Sequence, residues 1–121
     1  MTETPLLLAI IEQGGYPDFS SIYQSAGYQV ETTGSARNAL QIIKRQKPNV
    51  IVAEFNFQSD FRDRTSSLES ILAVVERLGD IKVIVFYDKE FKHQFDRLCQ
   101  NYTFHACLPF PINIDELRSA L

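Results

Sequence analysis

The feature that most restricts what this chain can fold into is a series of short, unbroken apolar runs, each followed by a segment with helical spacing. Leu6-Leu7-Leu8-Ala9-Ile10-Ile11, Val50-Ile51-Val52-Ala53 and Val83-Ile84-Val85-Phe86-Tyr87 show no polar alternation. Runs this short, without a solvent face, suit strands covered on both sides rather than helices. Weaker runs at Tyr28 to Thr32 and Phe104 to Leu108 complete a set of five.

The intervening segments carry helical stripes and caps. Phe19, Ile22, Tyr23 and Ala26 recur at i, i+3, i+4 and i+7, and Gly27 can take the left-handed conformation that stops a helix. Ser35 is placed to cap a second helix with the stripe Ala36, Ala39, Leu40 and Ile43, ended by Pro48. Ser66 and Glu69 have capping-box spacing ahead of Leu68, Ile71, Leu72, Val75 and Leu78, with Gly79 beyond. Asp88 is a good N-cap for a helix bearing Phe91, Phe95, Leu98 and Tyr102. Asn113 and Glu116 repeat the capping-box spacing before Ile114, Leu117 and Leu121, a final helix of roughly two turns.

Five strands alternating with five helices require right-handed crossovers, hence a parallel sheet with helices on both faces. The predicted fold class is α/β, a doubly wound five-stranded parallel sheet in three α/β/α layers. Function in such sheets gathers beyond the carboxyl ends of the strands, so Glu12, Glu54, Tyr87 and Leu108 are expected to ring one crevice.

The 121 residues suit one domain, residues 1–121, with a single core. The abrupt stop on apolar Leu121 points to the first domain of a longer protein. A net charge of -3, without clustered Lys and Arg interleaved with aromatics, argues against direct nucleic-acid binding. The Leu6 to Ile11 run falls far short of the roughly 20 residues that cross a bilayer, and no basic export region precedes it, so a cytoplasmic location is expected. Cys99 and Cys107 each lie in an apolar pattern and read as reduced, buried thiols rather than metal ligands.

Three local signatures occur in a telling order: an apolar strand running into Glu12, the run Lys47-Pro48-Asn49-Val50-Ile51-Val52, and Leu108-Pro109-Phe110 after the fifth strand. With them, the whole chain resembles the receiver domains of bacterial two-component response regulators, which have the flavodoxin-like fold of the chemotaxis regulator. That resemblance implies a pair of acids holding Mg²⁺, an aspartate accepting phosphate after strand three, a Thr or Ser after strand four and a Lys before the last proline.

The sequence departs from each. Glu12 fills one acidic metal position, and Mg²⁺, which demands several hard oxygen ligands, is weakened by the loss of the other. Glu54 stands at the acceptor position with one methylene too many for in-line transfer. Asn56 lies just beyond it in the same degenerate pocket. Tyr87 replaces the small hydroxyl, where its ring would fill part of the crevice. Leu108 replaces the Lys, removing the cation that would neutralise phosphoryl oxygens. The resemblance also implies a cis Leu108-Pro109 bond, and places His105 at the signalling aromatic of strand five, close to Tyr87.

The reading that results is a degenerate, non-enzymatic receiver that docks a protein partner or a second copy and needs no cofactor or metal; a residual Mg²⁺ site would use Glu12 and Glu54. Its docking face, by resemblance, is that of helix four, strand five and helix five, with Lys89, Lys92, His93, Asp96, His105 and Pro111. His93 and His105 are each expected to be exposed to solvent. One alternative keeps phosphoryl transfer, with Asp60, Asp63 or Glu54 as acceptor. Another is a flavodoxin-like small-molecule enzyme using Gly14-Gly15 at a helix N-terminus, although Pro17 follows closely and offers no N-H.

Overall fold

The computed structural model describes residues 5–10, 19–54 and 64–121. Glu12, Gly14, Gly15, Asn56, Asp60 and Asp63 lie outside them. The elements run β1 (Leu6–Ile10), α1 (Ser20–Ser25), β2 (Gln29–Thr33), α2 (Ala36–Arg45), β3 (Val50–Glu54), α3 (Arg64–Leu78), β4 (Lys82–Tyr87), a 3-10 turn (Lys89–Phe91), α4 (Lys92–Asn101), β5 (Ala106–Pro109) and α5 (Ile114–Ala120). All strand pairings are parallel, in the order β2-β1-β3-β4-β5. The predicted doubly wound sheet is therefore borne out.

The uninterrupted apolar runs are central because they have two faces to bury. Every residue of β1 and β3 is buried, and so are Val83 to Phe86 of β4. Strand alternation sends successive side chains to opposite layers. Leu8, Ile10, Ile51, Ala53, Val83 and Val85 pack with Ala39 and Ile43 of α2, Ile71, Leu72 and Val75 of α3, and Phe95 and Leu98 of α4. Leu7, Ala9, Val50, Val52, Ile84, Phe86 and Leu108 pack with Phe19, Tyr23 of α1 and Leu117 of α5. At the amino-terminal rim, Asn49 joins strands that are not neighbours: its amide donates to the Leu6 carbonyl and its side-chain oxygen accepts from the Leu6 amide, while its carbonyl accepts from Lys82.

Local chemistry sets most boundaries. The Ser35 hydroxyl accepts from the Asn38 amide at 3.1 Å, the Asp88 carboxylate from Glu90 at 2.9 Å and the Asn113 side chain from Glu116 at 3.1 Å, each satisfying an otherwise open donor at a helical start. Gly27 and Gly79 follow α1 and α3 with φ of 97° and 70°, values that favour glycine.

Four expectations change. α3 begins at Arg64, which places Ser66 inside the first turn rather than at the cap. The stripe of α3 ends before Leu78, which is 42% exposed, and that of α5 leaves out Ile114, its first residue, which is 44% exposed. β5 begins at Ala106, two residues later than its apolar pattern implied: Phe104 stacks on Phe95 instead of entering the ladder, with ring centroids 5.8 Å apart. The cis bond is Phe110-Pro111, not Leu108-Pro109, since Leu108 and Pro109 are still in strand register with Phe86 and Tyr87.

Candidate functional site

The order β2-β1-β3-β4-β5 reverses direction between β1 and β3, where an open α/β sheet leaves its crevice. Glu54 closes β3 at that edge. It is only 8% exposed and sits in register with Phe86 of β4. A carboxylate so withdrawn from water depends on nearby polar groups rather than on solvent. Continuing the parity of Val50 and Val52, Glu54 lies on the α1 and α5 side of the sheet.

Tyr87, the last residue of β4, follows the parity of Val83 and Val85 to the opposite layer. Its ring stacks on Phe95 of α4, with centroids 4.5 Å apart and planes 12° apart. The phenol ring is thus committed to α4 packing rather than to the crevice, because stacking on Phe95 shields a ring face that would otherwise stand in solvent.

Leu108 also leaves the expected ring. It is 6% exposed and belongs to the core shared with Leu117, so it is a packing residue and not the occupant of a phosphate-facing position. The turn that follows runs Pro109-Phe110-Pro111: the Phe110 amide donates to the Tyr87 carbonyl at 2.8 Å, and its ring residue is 40% exposed. From Leu108 through Pro111 there is no cation. Among the described residues, no group of three or more His, Cys, Asp or Glu is arranged to hold a metal ion.

His105 corrects another expectation. Its amide donates to the Val83 carbonyl at 2.8 Å, near the start of β4, whereas Tyr87 stands at the far end of that strand. The late start of β5 is the cause. The ring nitrogen Nε2 lies 3.0 Å from the Ala120 carbonyl oxygen at the end of α5, and because a carbonyl only accepts, Nε2 carries the proton and donates.

The other expected face residues, Lys89, Lys92, His93, Asp96 and Pro111, are exposed, as is His105. Lys92 and Asp96 pair across one turn of α4 at 3.1 Å, and this partner holds the Lys92 ammonium above its ordinary range. The cysteines are exposed rather than buried. The period-two pattern of Ala106, Cys107 and Leu108 contained this signal: with Leu108 facing the α1 and α5 layer, Cys107 faces the α4 side of an edge strand.

No family model and no curated protein sequence matches the chain. Solved structures match it throughout. A CheY-like receiver domain protein from Methanospirillum hungatei JF-1 superposes with a TM-score of 0.75 at 18% identity, over 97% of this chain and 90% of its own. The receiver domain protein from Clostridium thermocellum gives 0.73 at 14%, covering 96% and 90%. The chemotaxis response regulator CheY4 of Vibrio cholerae gives 0.71 at 18%, covering 98% and 100%. The fold expected from the resemblance is therefore the observed one, that of CheY-like receiver domains.

Proposed function

We propose that this receiver-fold domain binds a protein partner, or a second copy of itself, without phosphoryl chemistry. The observation that carries the reading is the cation-free turn Leu108-Pro109-Phe110-Pro111 beyond β5. A transferred phosphoryl group spreads negative charge over three oxygens, and a fixed cation at that edge is what makes such charge tolerable. Glu54 agrees with it: a buried carboxylate with a longer arm is a poor in-line acceptor.

Recognition then falls to exposed side chains of α4, β5 and α5, with Lys89, His93 and Pro111 available and Lys92 and Asp96 tied to each other. No helix among the described residues is long and apolar enough to cross a membrane.

The test is direct. After incubation with acetyl phosphate and Mg²⁺, intact mass spectrometry is expected to show no stable gain of about 80 Da, the mass of a phosphoryl group. Beryllofluoride with Mg²⁺ is expected to leave the NMR signals around Glu54 unmoved. A stable phosphoryl adduct, or saturable shifts at Glu54, would establish instead a phosphorylatable receiver with an atypical acceptor.

A further inference from the structure

Among the described residues the exposed large apolar side chains are Leu78, Phe110 and Ile114, and they fall at opposite rims of the sheet. Leu78 ends α3 just before β4 begins, whereas Phe110 follows β5 and Ile114 opens α5. In a parallel sheet each helix carries the chain back to the rim where strands start. Leu78 is therefore at the amino-terminal rim, and Phe110 and Ile114 are at the carboxyl-terminal rim.

The charges divide the same way. α2 packs against α3, and its last turn brings exposed Lys44 and Arg45 to the rim of Leu78. Exposed Lys47 leads into β3, and exposed Lys82 opens β4 beside that entry, its amide donating to the Asn49 carbonyl at 3.0 Å. With Arg77 in the last turn of α3, these cations outnumber the carboxylates of Glu76 and Asp80.

At the other rim the Phe110 amide donates to the Tyr87 carbonyl at 2.8 Å, which ties the connection after β5 to the connection after β4. Asp88 and Glu90 follow β4, and Asp115 and Glu116 occupy the first turn of α5. Lys89 stands among them, while Lys92 is tied to Asp96. Phe110 and Ile114 thus lie in acidic surroundings and Leu78 in basic ones. The two patches cannot meet within one chain, because the 6 residues of β4 set the rims roughly 20 Å apart at about 3.3 Å per residue.

We infer that this domain associates head to tail with a second copy of itself, the basic rim around Leu78 of one molecule meeting the acidic rim around Phe110 and Ile114 of the next. Opposite charge orients the encounter, and the three apolar side chains supply the surface that leaves water. Since the two patches differ, the contact is heterologous: every dimer still presents one free patch of each kind, and growth passes beyond two copies.

The acidic patch adjoins Lys89 and Pro111 of the face assigned above to partner binding. The inference rests on that reading in taking a second copy as the partner, and it adds the amino-terminal rim as the counterpart. The two fail separately: a phosphoryl adduct counts against the earlier reading, whereas self-association is measured on unmodified protein.

Sedimentation velocity over a concentration series tests the contact. At low salt the weight-average mass of the wild-type chain is expected to rise through that of a dimer and beyond. It is expected to return to the monomer at about 1 M salt, where the screening length is about 3 Å. Leu78→Glu and Ile114→Asn, both at exposed positions, are each expected to remain monomeric. Their equimolar mixture is expected to form a one-to-one dimer and stop there, because each variant keeps the patch that the other lacks. Lys82→Gln and Glu116→Gln repeat the design through charge alone, each shortening the growth, and circular dichroism checks that all four variants are folded. The inference is overturned if the wild-type chain stays monomeric at low salt, closes as a dimer that grows no further, or associates equally at high salt. It is overturned as well if the mixed Leu78 and Ile114 variants do not pair.

Discussion

Cys107 as a residue is exposed, but burial of its thiol holds the proton up to about 12 against an ordinary 9.0. In the unfolded chain the thiol titrates near the ordinary value. Between about pH 9 and 12 the folded state therefore binds more protons, so stability is fully present below that window and is lost as pH rises through it. Solvent screening makes the loss shallower than the shift alone would give. Chemical denaturation at stepped pH is expected to show this decline in wild type and a flatter profile in Cys107→Ala; identical slopes would remove the assignment. At this scale the sequence was least informative. Both cysteines occur in apolar surroundings, and only the opposed parity of Cys107 and Leu108 separates a surface thiol from a core leucine. Glu54 was legible as an acid at a strand end because the run Val50 to Ala53 admits only one strand; its low exposure was not, since that depends on what the rest of the fold lays over the edge.

Elements were legible where a backbone donor finds its partner within three residues. The Ser35, Asp88 and Asn113 side chains all bond as their spacing implied. Asn113 matters most, because α5 spans only Ile114–Ala120 and a short helix has few internal bonds to offset its nucleation. Asn113→Ala is expected to lower the unfolding free energy by about 1 kcal/mol, against little change for Asn113→Asp, measured by urea denaturation. Equal losses in the two variants would show that the cap is not the relevant contact. Ser66 misleads for a physical reason: the same Ser-x-x-Glu spacing satisfies donors anywhere near a helical start, so it does not by itself fix the first residue. The start of β5 was hidden likewise, since Phe104 is apolar because it stacks against α4, and apolarity does not report which kind of partner a side chain has.

The whole molecule is governed by two cores on one sheet. Leu7 and Leu8 are neighbours in sequence, both fully buried, and serve opposite layers. Truncation of either to Ala is expected to cost about 2–5 kcal/mol. Because β1, β3 and β4 carry both layers, near-ultraviolet and far-ultraviolet circular dichroism are expected to report one shared transition in each variant. Separate transitions would mean that the layers melt independently. The layer count and the parallel sheet were legible from strand and helix alternation, whereas the assignment of α2, α3 and α4 to one side was not, being a property of crossover geometry.

The alternating faces of β3 and β4 also divide the edge that carries Glu54 and Tyr87. Although both close their strands at the same rim, one answers to α1 and α5 and the other to Phe95 of α4. The sheet acts as a partition: a disturbance at the carboxylate and a disturbance at the phenol enter different halves of the molecule, and a message passing from one to the other must cross the strands themselves. A one-residue insertion within Val83 to Phe86 would turn Tyr87 to the layer that Glu54 already serves, so that both residues of the rim would report to one half of the molecule.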